Sequence, residues 1–386
     1  MRICIVARDI SDNYMGSFEF DQAKALNDFG HEVFVISLDL RSVRRKRKWG
    51  VFFSEYRGIK IIRASLPIGP INEKILDWVA EWLFKCAFNR ITKKYGSFDI
   101  IHAHFLSISY PVIKSLKSIP NYSVPIVVTE HSSTVNAQFF ETEKRIMEKA
   151  MYVYKHADAL IAVSEHLSKI IKMNYNIAAE VIYNTFDEEL FKYDEKRRKA
   201  DFNNGERIFV STGNLTTNKR MDLLIECFCE AFRNKCNYKL YIFGDGPKKA
   251  SIENLVKKCN KKGDIFLMGQ KERSEIAEFY CNADAFVLLS EKETFGVAYI
   301  EAMASGLPVM ACRSGGPEGF IKNRVGIIAD GNREDIVNKL GLLDEMSLNC
   351  DSKYISDYAI SICSAESIAK HLTSLYEKTL NYEVLI

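Results

Sequence analysis

AFVLLSEKETFGVAYIEAMASGLPVMAC, residues 285–312, decides how the rest of the chain is read. AFVLLS (285–290) is a short apolar run of strand type, and PVMAC (308–312) is another. Between them, EKETFG turns the chain beyond the carboxyl end of the first strand. The spacing predicts a helix from near Gly296 to Ser305–Gly306, with Gly306 as its stop. Strand, helix and strand in this order form a βαβ unit, and such units build parallel sheets. Two acids stand in this otherwise apolar stretch. Glu293 falls in the loop before the helix start, and Glu301 within the helix, on a face shared with Val297 and Ala304. A helix start preceded by glycine offers free backbone N–H groups and a positive dipole end, which together suit an anion. On spacing alone, one capping acid and one surface-facing acid explain the pair equally well.

The same alternation runs along the chain. RICIVA (2–7), HEVFVISL (31–38), IKIIRA (59–64), FDIIHAH (98–104), PIVVTEH (125–131) and ALIAVS (159–164) read as strands. FEFDQAKALNDFG (18–30) and the long 71–94 stretch have helical spacing. A charged, Asn-rich stretch without apolar period, YDEKRRKADFNNGER (193–207), marks a boundary. The pattern then restarts with RIFVSTG (207–213), a helix from Asp222, YKLYIFGDGP (238–247), DIFLMG (264–269), the opening unit and GIIA (326–329). Amphipathic SAESIAKHLTSLYEKTL (364–380) closes it. Two Rossmann-like βα domains of similar size follow, and the ligand is expected in a cleft between them, at the carboxyl ends of the strands.

The chain has 386 residues, 47% hydrophobic and 27% charged, as in an ordinary soluble globular protein. Its net charge of +3 is too small to imply nucleic-acid binding. Ten scattered cysteines, with no CxxC pair or zinc spacing, read as reduced, mostly buried thiols. MRICIVARDI is too short and too soon interrupted for a signal peptide, and no run of about 18 apolar residues exists. The expected location is cytoplasmic, peripheral on the inner face of the plasma membrane.

ETFGVAYIEAMASGLPV (293–309) resembles the nucleotide-sugar-binding signature of the retaining family-4 glycosyltransferases of GT-B fold. The resemblance places Glu293 near the donor sugar hydroxyls and Glu301 on the ribose hydroxyls. It sets Thr294, Phe295, Gly296 and Val297 against the diphosphate. Carboxylates suit the hydroxyl roles, because an ionised acid accepts two hydroxyls at once. GNLTTNKRMD (213–222) resembles the segment whose basic residues bind the diphosphate. There Lys219 fits the family lysine, and Asn214 stands where arginine is usual, leaving Arg220 or Arg313 to compensate. Met268 to Gln270 would lie near the base. In YIFGDGP (241–247), Gly244 and Gly246 allow a tight turn. ACRSGGPEGFI (311–321) resembles the family's glycine loop, one residue short of the usual GG-x-P-E.

In the first half, DNYMGSFEFDQAKALNDFGHEV (12–33) resembles the family's first loop and helix, with Gly16 approaching the donor phosphates or the acceptor. VVTEHSST (127–134) resembles the strand end that carries the active-site histidine, here His131. Thr185 replaces a usual glycine. The resemblance implies residues 1–192 as the acceptor-binding domain, 193–206 as linker and 207–363 as the nucleotide-sugar domain. A final helix, 364–386, would cross back to the first domain.

The implied reaction moves a sugar from a nucleotide diphosphate sugar to a glycan or lipid-linked acceptor, with retention, in bacterial surface polysaccharide synthesis. His131, Lys219 and Glu293 are its expected catalytic residues. No cofactor is expected, and no DxD-like acid pair stands where a metal would be needed. RSVRRKRKWG (41–50) and the helix of 71–94, with Trp78, Trp82, Phe84 and Phe88 beside Lys85, Arg90, Lys93 and Lys94, suit an anionic membrane surface. A solvated basic loop and a core-facing helix suit the same residues. A sugar-nucleotide epimerase or a non-catalytic nucleotide-binding subunit would share the fold and site. A dehydrogenase fits least, since no G-x-G-x-x-G follows the first strand.

Overall fold

The computed structural model of the protein describes residues 1–8, 10, 18–40, 48–66, 68–69, 72–132, 144–197, 205–259 and 263–383. The chain forms two compact units. Met1–Thr185 and the closing segment from Ala365 make the first, and Phe186–Ser364 makes the second.

The first unit runs β1 (Arg2–Arg8), α1 (Phe18–Asp28), β2 (Glu32–Asp39), β3 (Gly50–Tyr56), β4 (Ile59–Ser65), α2 (Glu73–Tyr95), β5 (Ile100–His104) and α3 (Leu106–Lys117). It continues with β6 (Ile126–Glu130), α4 (Lys144–His156), β7 (Ala159–Ala162), α5 (Glu165–Tyr175) and β8 (Glu180–Val181). Among the described residues its sheet has the order β3-β4-β2-β1-β5-β6-β7-β8. Ile3 to Ala7 of β1 are wholly buried, since this central strand is covered on both faces.

Not all of this sheet is parallel, as the alternation implied. β3 runs antiparallel to β4 in a hairpin whose turn residues, Arg57 and Gly58, both take positive φ. Most of β3 is exposed, so the strand carries no buried apolar face for a periodicity to register. Helix α3 also escaped the sequence reading, because Pro111 lies inside it.

The second unit runs β9 (Arg207–Thr212), α6 (Met221–Ala231), β10 (Tyr238–Phe243), α7 (Lys249–Cys259), β11 (Ile265–Gly269), α8 (Arg273–Asn282) and β12 (Ala285–Leu288). It continues with α9 (Val297–Ala304), β13 (Val309–Cys312), β14 (Gly326–Ala329), α10 (Arg333–Asn349) and α11 (Ser352–Cys363). Its sheet, order β11-β10-β9-β12-β13-β14, is parallel throughout. The chain passes between units at Thr185 and Phe186, upstream of the charged 193–207 stretch.

Helix α12 (Ala365–Glu383) returns to the first unit. Its Ile368, Ala369, Leu372, Leu375 and Tyr376 share one buried core with Ile3, Ile5, Leu26 and Val33. All ten cysteines are free. Cys4, Cys227, Cys312 and Cys363 are buried and Cys236 is exposed, so burial is less general than the apolar context of several suggested.

In each unit the strand order reverses direction beside the first strand, between β1 and β5 and between β9 and β12. The carboxyl ends of the strands at such a reversal are where α/β sheets hold ligands.

Candidate active site

In the second unit the loops after β9, β12 and β13 are stitched together by backbone. Asn218 accepts from the Lys292 N–H and donates its amide to the Lys292 carbonyl, and its own carbonyl accepts from the Glu291 N–H. Glu293 N–H donates to the Ser314 carbonyl, and Gly316 N–H to the Glu293 carbonyl. Glu318 closes the glycine loop by accepting from the Ser314 and Gly315 N–H groups at 2.9 Å. Asn218 was not singled out from sequence, because nothing local marks a residue whose partners lie in another loop. Glu318 was read only as part of the glycine-loop motif, and its partners are in that same loop.

This stitching brings Lys219 and Glu293 together. Lys219 ends a single helical turn, Thr217–Lys219, and its Nζ lies 2.5 Å from Glu293 Oε2. Both side chains are mostly buried, at 20% and 14% exposure. Helix α9 starts at once beyond them. Gly296, at φ +94°, precedes it, and no side chain caps it. A Cβ on Gly296 would stand 2.6 Å from the Tyr299 ring and 3.1 Å from the Glu293 side chain. Phe295 is buried against Phe320, while Thr294 and Val297 are half-buried. A cation, a hydroxyl acceptor and an uncapped helix start therefore share one place, which equips it for an anion attached to a polyol.

Glu301 lies one turn further along α9. The surface-facing alternative fails for it. Its Oε1 accepts from Arg273 Nη2 at 2.7 Å, and the guanidinium lies over the Phe191 ring, 5.4 Å from the centroid. Burial raises the Glu301 carboxyl from its ordinary range, and Arg273 pulls it back. Arg273 went unremarked in the sequence, since it is separated from its partner by a strand and a loop.

The other expected donor residues scatter more widely. Asn214 is exposed, and its carbonyl accepts from the Thr216 N–H at 2.7 Å. Arg220 turns toward the far side of its loop, donating to the Gly331 carbonyl at 2.8 Å. Arg313 pairs with Asp330 at 2.7 Å and stays exposed. Met268 sits half-buried at the end of β11, next to exposed Gln270. Gly244 is required by close approach as well as by its turn, because a Cβ there would stand 2.0 Å from the Gly213 carbonyl oxygen.

In the first unit, His131 follows the carboxyl end of β6 and is buried. Its ring lies between Phe18 and Phe105, 4.7 Å from each centroid. Its Nε2 is 2.9 Å from His104 Nδ1. His102 stacks on His104 and bonds Tyr376 of α12 at 2.6 Å. Burial lowers all three histidines, His104 to about 3, and for His131 the neighbouring His104, His102 and Arg8 add to the effect. Beneath them Glu130 accepts from Tyr154 and from the backbone of His131 and Ser132. Burial pushes its carboxyl up to about 7. Gly16 and the basic residues 41–47 lie outside the described residues.

Two Rossmann-like α/β units, each with its strand order reversing beside the first strand, make this the fold of the GT-B glycosyltransferases. The glycosyltransferase family 4 model matches residues 18–190, and that of the glycosyl transferases group 1 matches 192–360. The chain belongs to this family of group 1, family 4 glycosyltransferases.

N-acetyl-alpha-D-glucosaminyl L-malate synthase of Bacillus anthracis is 26% identical over 369 residues, which cover 92% of this chain and 87% of that protein. Alpha-monoglucosyldiacylglycerol synthase of Streptococcus pneumoniae is 24% identical, over 73% of this chain and 64% of its own length. The fold is similar to that of Anabaena HepE in complex with UDP-glucose. Its TM-score is 0.72 at 15% identity, covering 98% of this chain and 100% of that one. Among the described residues, no helix is long and apolar enough to cross a membrane.

Proposed function

We propose that this glycosyltransferase moves a sugar from a nucleoside diphosphate sugar to a lipid-linked or glycan acceptor, with retention at the anomeric carbon. The observation that carries the reading is the Lys219–Glu293 pair at the uncapped start of α9. In this reading the diphosphate takes Lys219 and the α9 N–H groups, and Glu293 turns to the sugar hydroxyls. Glu301, kept near Arg273, accepts the ribose hydroxyls. Negative charge grows on the leaving phosphate as the glycosidic bond lengthens, and a fixed cation and aligned N–H groups stabilise it. Removing one such donor typically costs about 10²–10³ in rate. His131 positions the sugar, and neither it nor Glu293 is a covalent nucleophile. No metal is needed, and EDTA leaves turnover unchanged. A UDP-glucose complex of a fold neighbour and a diacylglycerol-modifying relative support the donor and lipid classes. Retention rests on the resemblance of ETFGVAYIEAMASGLPV to the retaining signature. The setting proposed is surface glycan synthesis at the cytoplasmic face of a membrane.

The test is nucleotide release from a panel of UDP-, GDP-, ADP- and CMP-sugars, with wild type beside Lys219→Ala and Glu293→Ala. One donor should be turned over, and both variants should lose it while still unfolding cooperatively, each at a lower melting temperature because it leaves one partner of a mostly buried pair alone. A donor bound but never turned over with any acceptor would reassign the chain to nucleotide binding alone. The anomeric coupling constant of the product, read by proton NMR, decides retention.

A further inference from the structure

Helix α2 is 23 residues, about 34 Å at 1.5 Å per residue, and only one side of it serves the first unit's core. Leu83, Phe84, Ala87, Phe88 and Ile91 face inward and are buried. Trp78 and Trp82 do not join Phe84 and Phe88 there. They are 66% and 50% exposed, on an outer stripe with Ile75, Lys85 and Lys93. The spacing 78, 82, 85, 89, 93 keeps that stripe on one face of the helix. Trp49, the remaining tryptophan, is exposed too, so every tryptophan of the chain is at the surface.

The charges of α2 are sorted as well. Its three acids are all occupied: Glu73 and Asp77 pair with Arg145 and Lys149 of α4, and Glu81 with Lys114 of α3. Its exposed cations Lys85, Arg90 and Lys93 have no carboxylate partner among the described residues. Acids held on the flank and cations left on the outside make the free face of α2 positive as well as aromatic.

We infer that the outer face of α2 docks the protein onto an anionic lipid bilayer. Indole rings favour the headgroup level, where one edge is apolar and the other wet, and lysine stems extend along the same boundary with their ammonium groups among lipid phosphates. A helix lying in the interface meets the bilayer through such a stripe. The partner is negatively charged, as an exposed aromatic stripe beside cations that face no carboxylate among the described residues favours. The inference rests on the lipid-linked acceptor proposed above for its purpose, but its test uses neither donor nor acceptor.

The full chain is sedimented with phosphatidylcholine vesicles and with vesicles containing about one third phosphatidylglycerol. Binding should be at least about tenfold tighter to the anionic vesicles and should weaken as salt shortens the Debye length from about 10 Å at 0.1 M. Tryptophan emission should shift to the blue on binding. Trp78→Ser with Trp82→Ser should abolish the blue shift and most binding. Lys85→Glu with Lys93→Glu should remove the preference for anionic vesicles. Both double variants should keep the wild-type melting temperature and donor hydrolysis, since these residues lie on a free surface. Equal binding by variants and wild type, or none by wild type that still hydrolyses donor, would overturn the inference. So would self-association that the same substitutions abolish, which would make the face a protein contact. Loss of donor hydrolysis in Lys219→Ala with vesicle binding intact separates the two proposals.

Discussion

Arg273 Nη2 lies 2.7 Å from Glu301 Oε1, and both side chains are mostly buried, at 13% and 14% exposure. The first residue of one helix thus holds a carboxylate in the middle of another. Arg273→Ala leaves Glu301 buried without its cation, which should cost about 3 kcal/mol of stability. Nucleotide affinity should fall with it, and Arg273→Lys should restore part of both. Urea melts and calorimetric titration with the donor's nucleotide measure the two effects. A variant that loses stability but binds nucleotide as tightly as wild type would limit Arg273 to a structural role.

Asn214 is exposed in the loop that carries Lys219, where the family pattern has arginine. Asn214→Arg should raise kcat/KM for the donor by up to about tenfold. That is less than the 10²–10³ of a fully preorganised donor, because this loop has packed without it. Stability should change by less than about 0.5 kcal/mol. Initial rates of nucleotide release give the answer, and a decrease would mean that another cation already fills the place.

Gly296 joins Glu293 to helix α9 at φ +94°, and a Cβ there would meet the Tyr299 ring at 2.6 Å. Gly296→Ala should cost about 2 kcal/mol through backbone strain and displacement of that ring. Tyr299 is fixed by its hydroxyl on the Leu288 carbonyl at 2.6 Å, so it yields little. Activity should fall at least about a hundredfold, since both the acid and the N–H groups move. Turnover near wild type would show that the helix start does not meet the diphosphate.

The buried groups of the first unit predict its response to acid. His102, His104 and His131 are lowered in the fold, so the unfolded chain binds their protons first. Stability from keeping them neutral is full above about pH 6.5 and is lost as pH falls toward the folded value, about 3 for His104. Glu130 acts in the opposite sense. Its folded value, about 7, lies above the ordinary carboxylate range, so its burial begins to destabilise as pH rises past about 4.5, fully above 7. Glu130→Gln removes that slope, about 1.4 kcal/mol per pH unit between those limits. Denaturation of wild type and variant across pH 4.5 to 7.5 should therefore show curves that converge as pH falls. Parallel curves would mean that Glu130 stays ionised.

Fold and site were legible where their signals are local. The strands of the second unit are short apolar runs, and Gly296 and Gly306 bracket α9 within one reading frame. Strand β3 was not legible, because an exposed edge strand has no apolar face to betray it. Asn218 and Arg273 were silent for another reason. Each acts on a partner fixed by the sheet rather than by its neighbours in sequence. Arg220 shows the converse, since its position beside Lys219 suggested phosphate and its left-handed backbone turned it to Gly331.

Because α12 belongs to the first unit's core, the whole second unit is an insertion within the first. That has a consequence for synthesis. At about 5–20 residues per second, the stretch Phe186–Ser364 takes roughly 9–36 s to make before α12 follows. Throughout that interval the surface that will receive Leu372 and Tyr376 is uncovered, and His102 lacks the hydroxyl it bonds. The second unit is contiguous and can close while it is being made. On the ribosome, the half that starts first is the half that finishes second.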